Sequence, residues 1–147
     1  MTAHYLDDFA VGQTFNTGRV RVDKEQIVAF ASQFDPQPFH LDEEAARASP
    51  FQGLAASGWH TAALTMRMLA DGGAPIAGGT IGVGGEIAWP GPVRPEDTLM
   101  AESEVLTITP SRSKPNQAIV TMRTTTRNQT GAPVLVLTAK LIVFARP

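Results

Sequence analysis

The hydrophobic pattern changes period along the chain, and the changes outline its elements. Tyr5, Leu6, Phe9 and Val11 form an arm able to pack on the body, and Gly12 marks a turn. Thr14 to Val22 reads as a strand, with Phe15, Val20 and Val22 as its apolar positions and Gly18 as a bulge or bend. Asp23-Lys24-Glu25-Gln26 then opens a helix. An N-cap acid with Gln three residues on is a variant of the capping box. Ile27, Phe30, Ala31 and Phe34 follow at helical spacing, and Pro36 must end the helix near Asp35. Asp42 to Ala48 is a short helix with its acids first, matched to the helix dipole, and Ser49-Pro50 ends it. Phe51-Gln52-Gly53 is loop.

The longest helical pattern opens at Ser57-Gly58-Trp59-His60, runs to Ala70 and stops at Asp71-Gly72-Gly73. Ala62, Ala63, Leu64, Met66 and Leu69 leave it little polar surface, and a helix apolar nearly all round belongs in a core. From Thr80 the pattern is that of strands: Ile81 to Trp89, Leu99 to Ile108, Ala118 to Arg127 and Val134 to Phe144. Pro90 and Pro92 break the first, and Asn128-Gln129-Thr130-Gly131 makes a hairpin turn. Helices placed early and an antiparallel meander afterwards predict one α+β domain over residues 1–147, with a sheet wrapped around the long helix. The sheet's edges and outer face need cover. Pairing with a second copy supplies it, which favours a homodimer.

Composition narrows the function classes. The chain has 147 residues and a formal net charge of −2, with no basic stripe for nucleic acid and no like-charge run for a membrane surface. It has no cysteine, which excludes disulfides, thiolate catalysis and cysteine-zinc sites and is compatible with the cytoplasm. Three scattered histidines make a poor metal site. The N-terminus has neither a basic nor an apolar signal region, so no secretory signal is expected, and no apolar run is long enough to span a bilayer.

The chemistry concentrates in Phe34-Asp35-Pro36-Gln37-Pro38-Phe39-His40-Leu41-Asp42. Pro36 and Pro38 each fix their own φ and push Asp35 and Gln37 toward extended geometry. A stiff, non-helical loop is expected, holding the Asp35 carboxylate and the His40 imidazole at a set distance. The plainer alternative is a turn between helices, with Asp35 as a cap and His40 packed. Asp42 is expected to cap the short helix.

Three stretches together resemble the MaoC-like dehydratases, a hot-dog-fold family similar to (R)-specific enoyl-CoA hydratases. They are Asp35-x-x-x-x-His40-Leu41-Asp42, Ser57-Gly58-Trp59-His60-Thr61, and Trp89-Pro90-Gly91-Pro92-Val93-Arg94-Pro95-Glu96-Asp97-Thr98-Leu99. The likeness runs from about Asp8 to Ala145. It departs at Gln37, where many relatives have Asn, at Glu96, where many have Gly, and at Met66, where some hydratases carry a serine.

The resemblance implies a cofactor-free hydro-lyase that adds water to a trans-2-enoyl thioester of CoA or acyl carrier protein. Asp35 and His40 would be its acid/base pair. The Gly58 N–H, at a helix N-terminus, would stabilise the enolate oxygen, although Gly58 and Ser57 also read simply as a tight entry and its N-cap. Ser57, Trp59 and His60 are the candidate substrate-binding residues, although His60 reads more simply as a helix-start residue hydrogen-bonded to backbone. Arg94 reads as a solvated loop residue or a contact for a CoA phosphate. A hot-dog thioesterase and a non-catalytic acyl-CoA-binding subunit are the competing functions.

Overall fold

The computed structural model describes residues 2–147. After a short 3-10 turn at Leu6–Asp8 come β1 (Thr14–Arg21), α1 (Lys24–Phe34), α2 (Pro38–Leu41), α3 (Glu43–Arg47) and α4 (Gly58–Gly72), followed by β2 (Gly82–Ala88), β3 (Thr98–Pro110), β4 (Gln117–Arg127) and β5 (Pro133–Phe144). The strands form one antiparallel sheet in the order β1-β3-β4-β5-β2. α4 lies against β1, β3 and β5, which is the α+β arrangement expected.

Side-chain alternation sets the register. Ala118, Val120, Met122, Thr124 and Thr126 on β4 are buried, as are Leu99, Ala101, Ser103 and Val105 on β3. Two apolar clusters result. One joins Val22, Ile27, Leu54, Met68, Leu99 and Val134; the other joins Phe9, Ile76, Val105, Val120, Leu141 and Val143. The β1–β3 register slips between Asn16 and Arg19, the bulge that Gly18 signalled. Of the arm residues, Phe9 is buried but Val11 is 66 % exposed, because it stands at the turn into Gly12 (φ 89°).

Three expectations are corrected. First, the proline-bearing stretch is not wholly non-helical, since Pro38 occupies the first turn of the one-turn helix α2. A proline's missing N–H costs nothing there, and its fixed φ suits a helix start. Second, α4 is buried on one face only, and that face is largely polar: His60, Thr61, Thr65 and Met68. Thr65 satisfies its hydroxyl with Thr61 O at 2.9 Å and Thr126 Oγ1 at 2.7 Å. Trp59, Ala63, Met66 and Ala70, at helical spacing, face outward.

Third, the four last strands are not a plain meander. β2 pairs with β5 rather than β3, so the link Trp89–Asp97 must pass β5 and β4 to reach β3. Extended, proline-rich chain covers about 3.1 Å per residue, ample for three strand spacings of about 4.8 Å. Glu96 in this link has φ 76°, a conformation natural to the glycine many relatives carry there. Among the described residues no helix is long and apolar enough to cross a membrane.

Candidate active site

Pro36 stops α1, and Asp35 becomes its C-cap, with its N–H on Ala31 O at 2.9 Å. Gln37, before Pro38, is extended (φ −87°, ψ 145°) and serves as N-cap of α2. One helical turn then carries His40 back beside Asp35. His40 Nε2 lies 3.4 Å from Asp35 Oδ2, with the imidazole almost fully buried and the carboxylate about one-fifth exposed (side chains 6 % and 20 %). Phe39 meets the imidazole edge-on at 4.7 Å, and Phe51 lies beyond it at 6.1 Å.

His40 Nδ1 lies 2.6 Å from the Ala55 carbonyl oxygen. A carbonyl can only accept, so Nδ1 carries the proton. In neutral His40 the Nε2 lone pair is therefore the part turned toward Asp35. Ser57 Oγ donates to the same Asp35 Oδ2 at 2.7 Å and accepts from Trp59 N–H at 3.2 Å. One hydroxyl thus caps α4 and ties the Asp35 carboxylate to the helix opening.

At that opening, His60 and Thr61 donate their N–H groups to Ser57 O, and Trp59 donates its own to Ser57 Oγ. The Gly58 N–H has no partner among the described residues. It sits where orphan helix N–H groups and the positive end of the dipole coincide. The Gly58 carbonyl accepts from Trp89 Nε1 at 2.8 Å, and a Cβ at Gly58 would lie 2.7 Å from two atoms of that indole. The packing of Trp89 is what requires glycine here.

Asp35, His40, Gly58 and Trp59 border one cleft of about 460 Å³, whose other walls include Phe51, Thr61, Trp89 and Pro92. The remaining sequence candidates stand elsewhere. Ser57 is fully buried behind Asp35 and orients it rather than facing the cleft. His60 lies outside the cleft walls and stacks on Phe30 of α1 (4.8 Å, 8°). Its buried Nδ1 has no hydrogen-bond partner among the described residues, and burial lowers its pKa below the ordinary histidine value. Asp42 caps α3 by accepting from Ala45 N–H at 2.9 Å. Arg94 is half-buried: its guanidinium donates to the carbonyls of Phe51, Gly53 and Leu54, and with Arg47 and Gln52 it borders a second, open hollow. Sequence reasoning missed the Ala55 carbonyl and the walls Phe51 and Thr61. A backbone carbonyl carries no residue signature, and Thr61 was visible only as the last residue of the second motif.

A carboxylate, an imidazole and an unpartnered helix N–H around one cleft are the equipment of proton transfer beside a stabilised oxyanion. The comparisons with known proteins agree with that class. The family described as "MaoC like domain" matches residues 8–128, and the chain belongs to this hydratase and dehydratase family. The uncharacterised protein YdeM of Bacillus subtilis is 38 % identical over 127 residues, covering 84 % of this chain and 87 % of YdeM. A MaoC-like dehydratase of Rhodospirillum rubrum is 58 % identical, with TM-score 0.97 over 99 % of both chains. An unliganded (R)-hydratase of Pseudomonas aeruginosa is 26 % identical, with TM-score 0.73 over 97 % of this chain and 86 % of its own. The fold is accordingly the α+β hot-dog fold.

Proposed function

We propose that this chain reversibly hydrates a trans-2-enoyl thioester to the (R)-3-hydroxyacyl thioester. What supports it is one juxtaposition: Asp35 Oδ2 and His40 Nε2 at 3.4 Å, on a cleft also bordered by Gly58, whose N–H has no partner among the described residues. A water bridging carboxylate and imidazole from the cleft side gives one proton to the pair while its oxygen bonds to Cβ. The π electrons move to the thioester oxygen, which the Gly58 N–H stabilises. The pair then returns a proton to Cα and ends as it began. Each acid/base group contributes roughly 10²–10⁴-fold, and one oxyanion donor about 2.7–4 kcal/mol. The apolar walls Trp59, Trp89 and Phe51 suit an acyl thioester of CoA or acyl carrier protein.

The same reading includes a homodimer. Trp59 and Met66 on the outer stripe of α4, with Ile81 and Val83 beside the unpaired edge of β2, form an exposed apolar surface suited to a second copy.

The test is a panel of enoyl-CoA esters of graded chain length, followed both for loss of enoyl absorbance and for release of free thiol. Hydration predicts loss of absorbance without thiol. Thiol release with the double bond untouched would instead indicate a thioesterase, and tight binding without turnover a non-catalytic subunit.

A further inference from the structure

Arg94 is not among the residues that line the cleft, yet it grips the strip of chain that holds His40. Its Nη1 donates to Gly53 O at 2.7 Å and Leu54 O at 3.3 Å, and its Nη2 donates to Phe51 O. A rigid guanidinium fork can serve several carbonyls at once where an ammonium cannot. Gly53 permits the close approach, since a Cβ there would stand 3.3 Å from Nη1. Between two of the gripped carbonyls, Gln52 has φ 58°, a left-handed conformation that a non-glycine residue keeps only when its surroundings impose it.

The next carbonyl along the strip is that of Ala55, the acceptor of His40 Nδ1–H. Ala55 N–H returns to Phe39 O at 3.2 Å, and Ala56 N–H reaches Val93 O at 2.9 Å. Arg94 is itself anchored. Its N–H donates to Asp97 Oδ2, and Asp97 Oδ1 accepts from Gln129 Nε2 in the β4–β5 turn, both at 2.9 Å. The path from sheet to imidazole is thus continuous: β4–β5 turn, Asp97, Arg94, strip, Ala55 carbonyl, His40.

We infer that Arg94 is a positioning residue that selects the Nδ1–H tautomer of His40 by fixing the strip Phe51–Ala55. Without the grip, Gln52 relaxes to an ordinary φ and the Ala55 carbonyl leaves Nδ1. The Asp35 carboxylate then attracts the proton to Nε2, and the neutral imidazole presents a donor where it had presented a lone pair. The consequence for rate rests on the hydration reading; the tautomer itself does not.

The experiment is ¹⁵N NMR of the histidine side chains in the full-length protein at pH 8, with His40 assigned by its absence in His40→Gln. Wild type should show Nδ1–H at His40. Arg94→Met should move a large share of the population to Nε2–H and lower kcat by at least about tenfold with KM changed by no more than about threefold, as expected of a mis-set proton acceptor. Arg94→Lys, one ammonium for three carbonyls, should lie between. A folded Arg94→Met that keeps Nδ1–H overturns the inference, whatever its rate. If Arg94→Met does not fold, Arg94→Lys decides by the same signal. If wild type hydrates no enoyl thioester, the functional reading fails and the tautomer measurement still stands on its own.

Discussion

Two histidines, equally buried at 5 % and 6 % exposure, sit in two regions of different design. Both ring nitrogens of His40 have a neighbour, Nδ1 the Ala55 carbonyl and Nε2 the Asp35 carboxylate, and Asp35 Oδ2 in turn has the Ser57 hydroxyl. Around His60, in the seam between α4 and α1, the ring is flat on Phe30 and its Nδ1 has no hydrogen-bond partner among the described residues. Burial alone therefore does not mark a catalytic histidine. What marks it is an arrangement that fixes one nitrogen and leaves the other facing a titratable partner on an open cleft. A buried imidazole without such partners is a cost that the fold bears.

The hardest blow to this comparison comes from removing the partners in the first region. Asp35→Asn and His40→Gln should each lower kcat for the true substrate by about 10²–10⁴-fold. Circular dichroism should stay near wild type for both; melting should too for Asp35→Asn, which keeps the shape and an acceptor for Ser57, whereas His40→Gln loses the ring packed on Phe39 and should melt somewhat lower. The double variant should be little worse than either single one, because groups that act as a unit lose their effect together. A near wild-type rate in either single variant would remove the acid/base assignment.

Ser57→Ala should do less, and in two currencies. The helix cap loses about 1 kcal/mol of stability. Asp35 loses its orienting donor, and kcat should fall by roughly tenfold through misplacement of the carboxylate. Asp42→Ala removes a cap of the same kind from α3 and serves as the control. It should cost similar stability at unchanged rate. Equal rates in the two variants would show Ser57 to be a cap and nothing more.

How much of this was legible depended on the range of the interaction. The caps Asp23, Asp42 and Ser57 were visible because a cap and its N–H lie two or three residues apart. The alternation in β4 was visible for the same local reason. Asp35 and His40 stood out because prolines flank them. What stayed hidden joins distant parts of the chain through groups that every residue type possesses. The Ala55 carbonyl on His40 and the three carbonyls on Arg94 are backbone atoms. The contact of Trp89 with Gly58 follows from a crossing link whose course depends on β2 choosing β5 over β3. The polar face of α4 misled for a related reason: Thr61 and Thr65 are tolerable inside because the helix carbonyl one turn back accepts from their hydroxyls, and Thr126 on β4 shares a hydrogen bond with Thr65.

His60→Leu is the smallest effect and sharpens the comparison from the other side. The kcat should stay within about twofold of wild type, because His60 touches neither the cleft nor Asp35; no magnitude of the acid/base kind is at stake. Stability is where the change should show. Desolvation lowers the folded-state pKa of His60 below its ordinary 6.5. Above that value both folded and unfolded chains hold a neutral ring, and protonation contributes nothing. As pH falls below it, the unfolded chain takes up a proton that the folded chain refuses, so the folded state loses stability until its own lowered pKa is reached. Leucine has no such penalty. The wild-type and His60→Leu unfolding free energies should therefore diverge as pH falls from about 6.5, with the variant the more stable. At pH 8 the variant should hold level or gain, since an unpaired buried nitrogen costs about 1–3 kcal/mol and the lost ring stack is worth about 0.5–1.5. Denaturant titrations of both proteins between pH 5 and 8 measure the gap, and the other titrating groups, shared by the two chains, cancel in the difference. A constant gap across that range would mean that His60 charges freely in the folded protein, and the contrast with His40 would lose its physical basis.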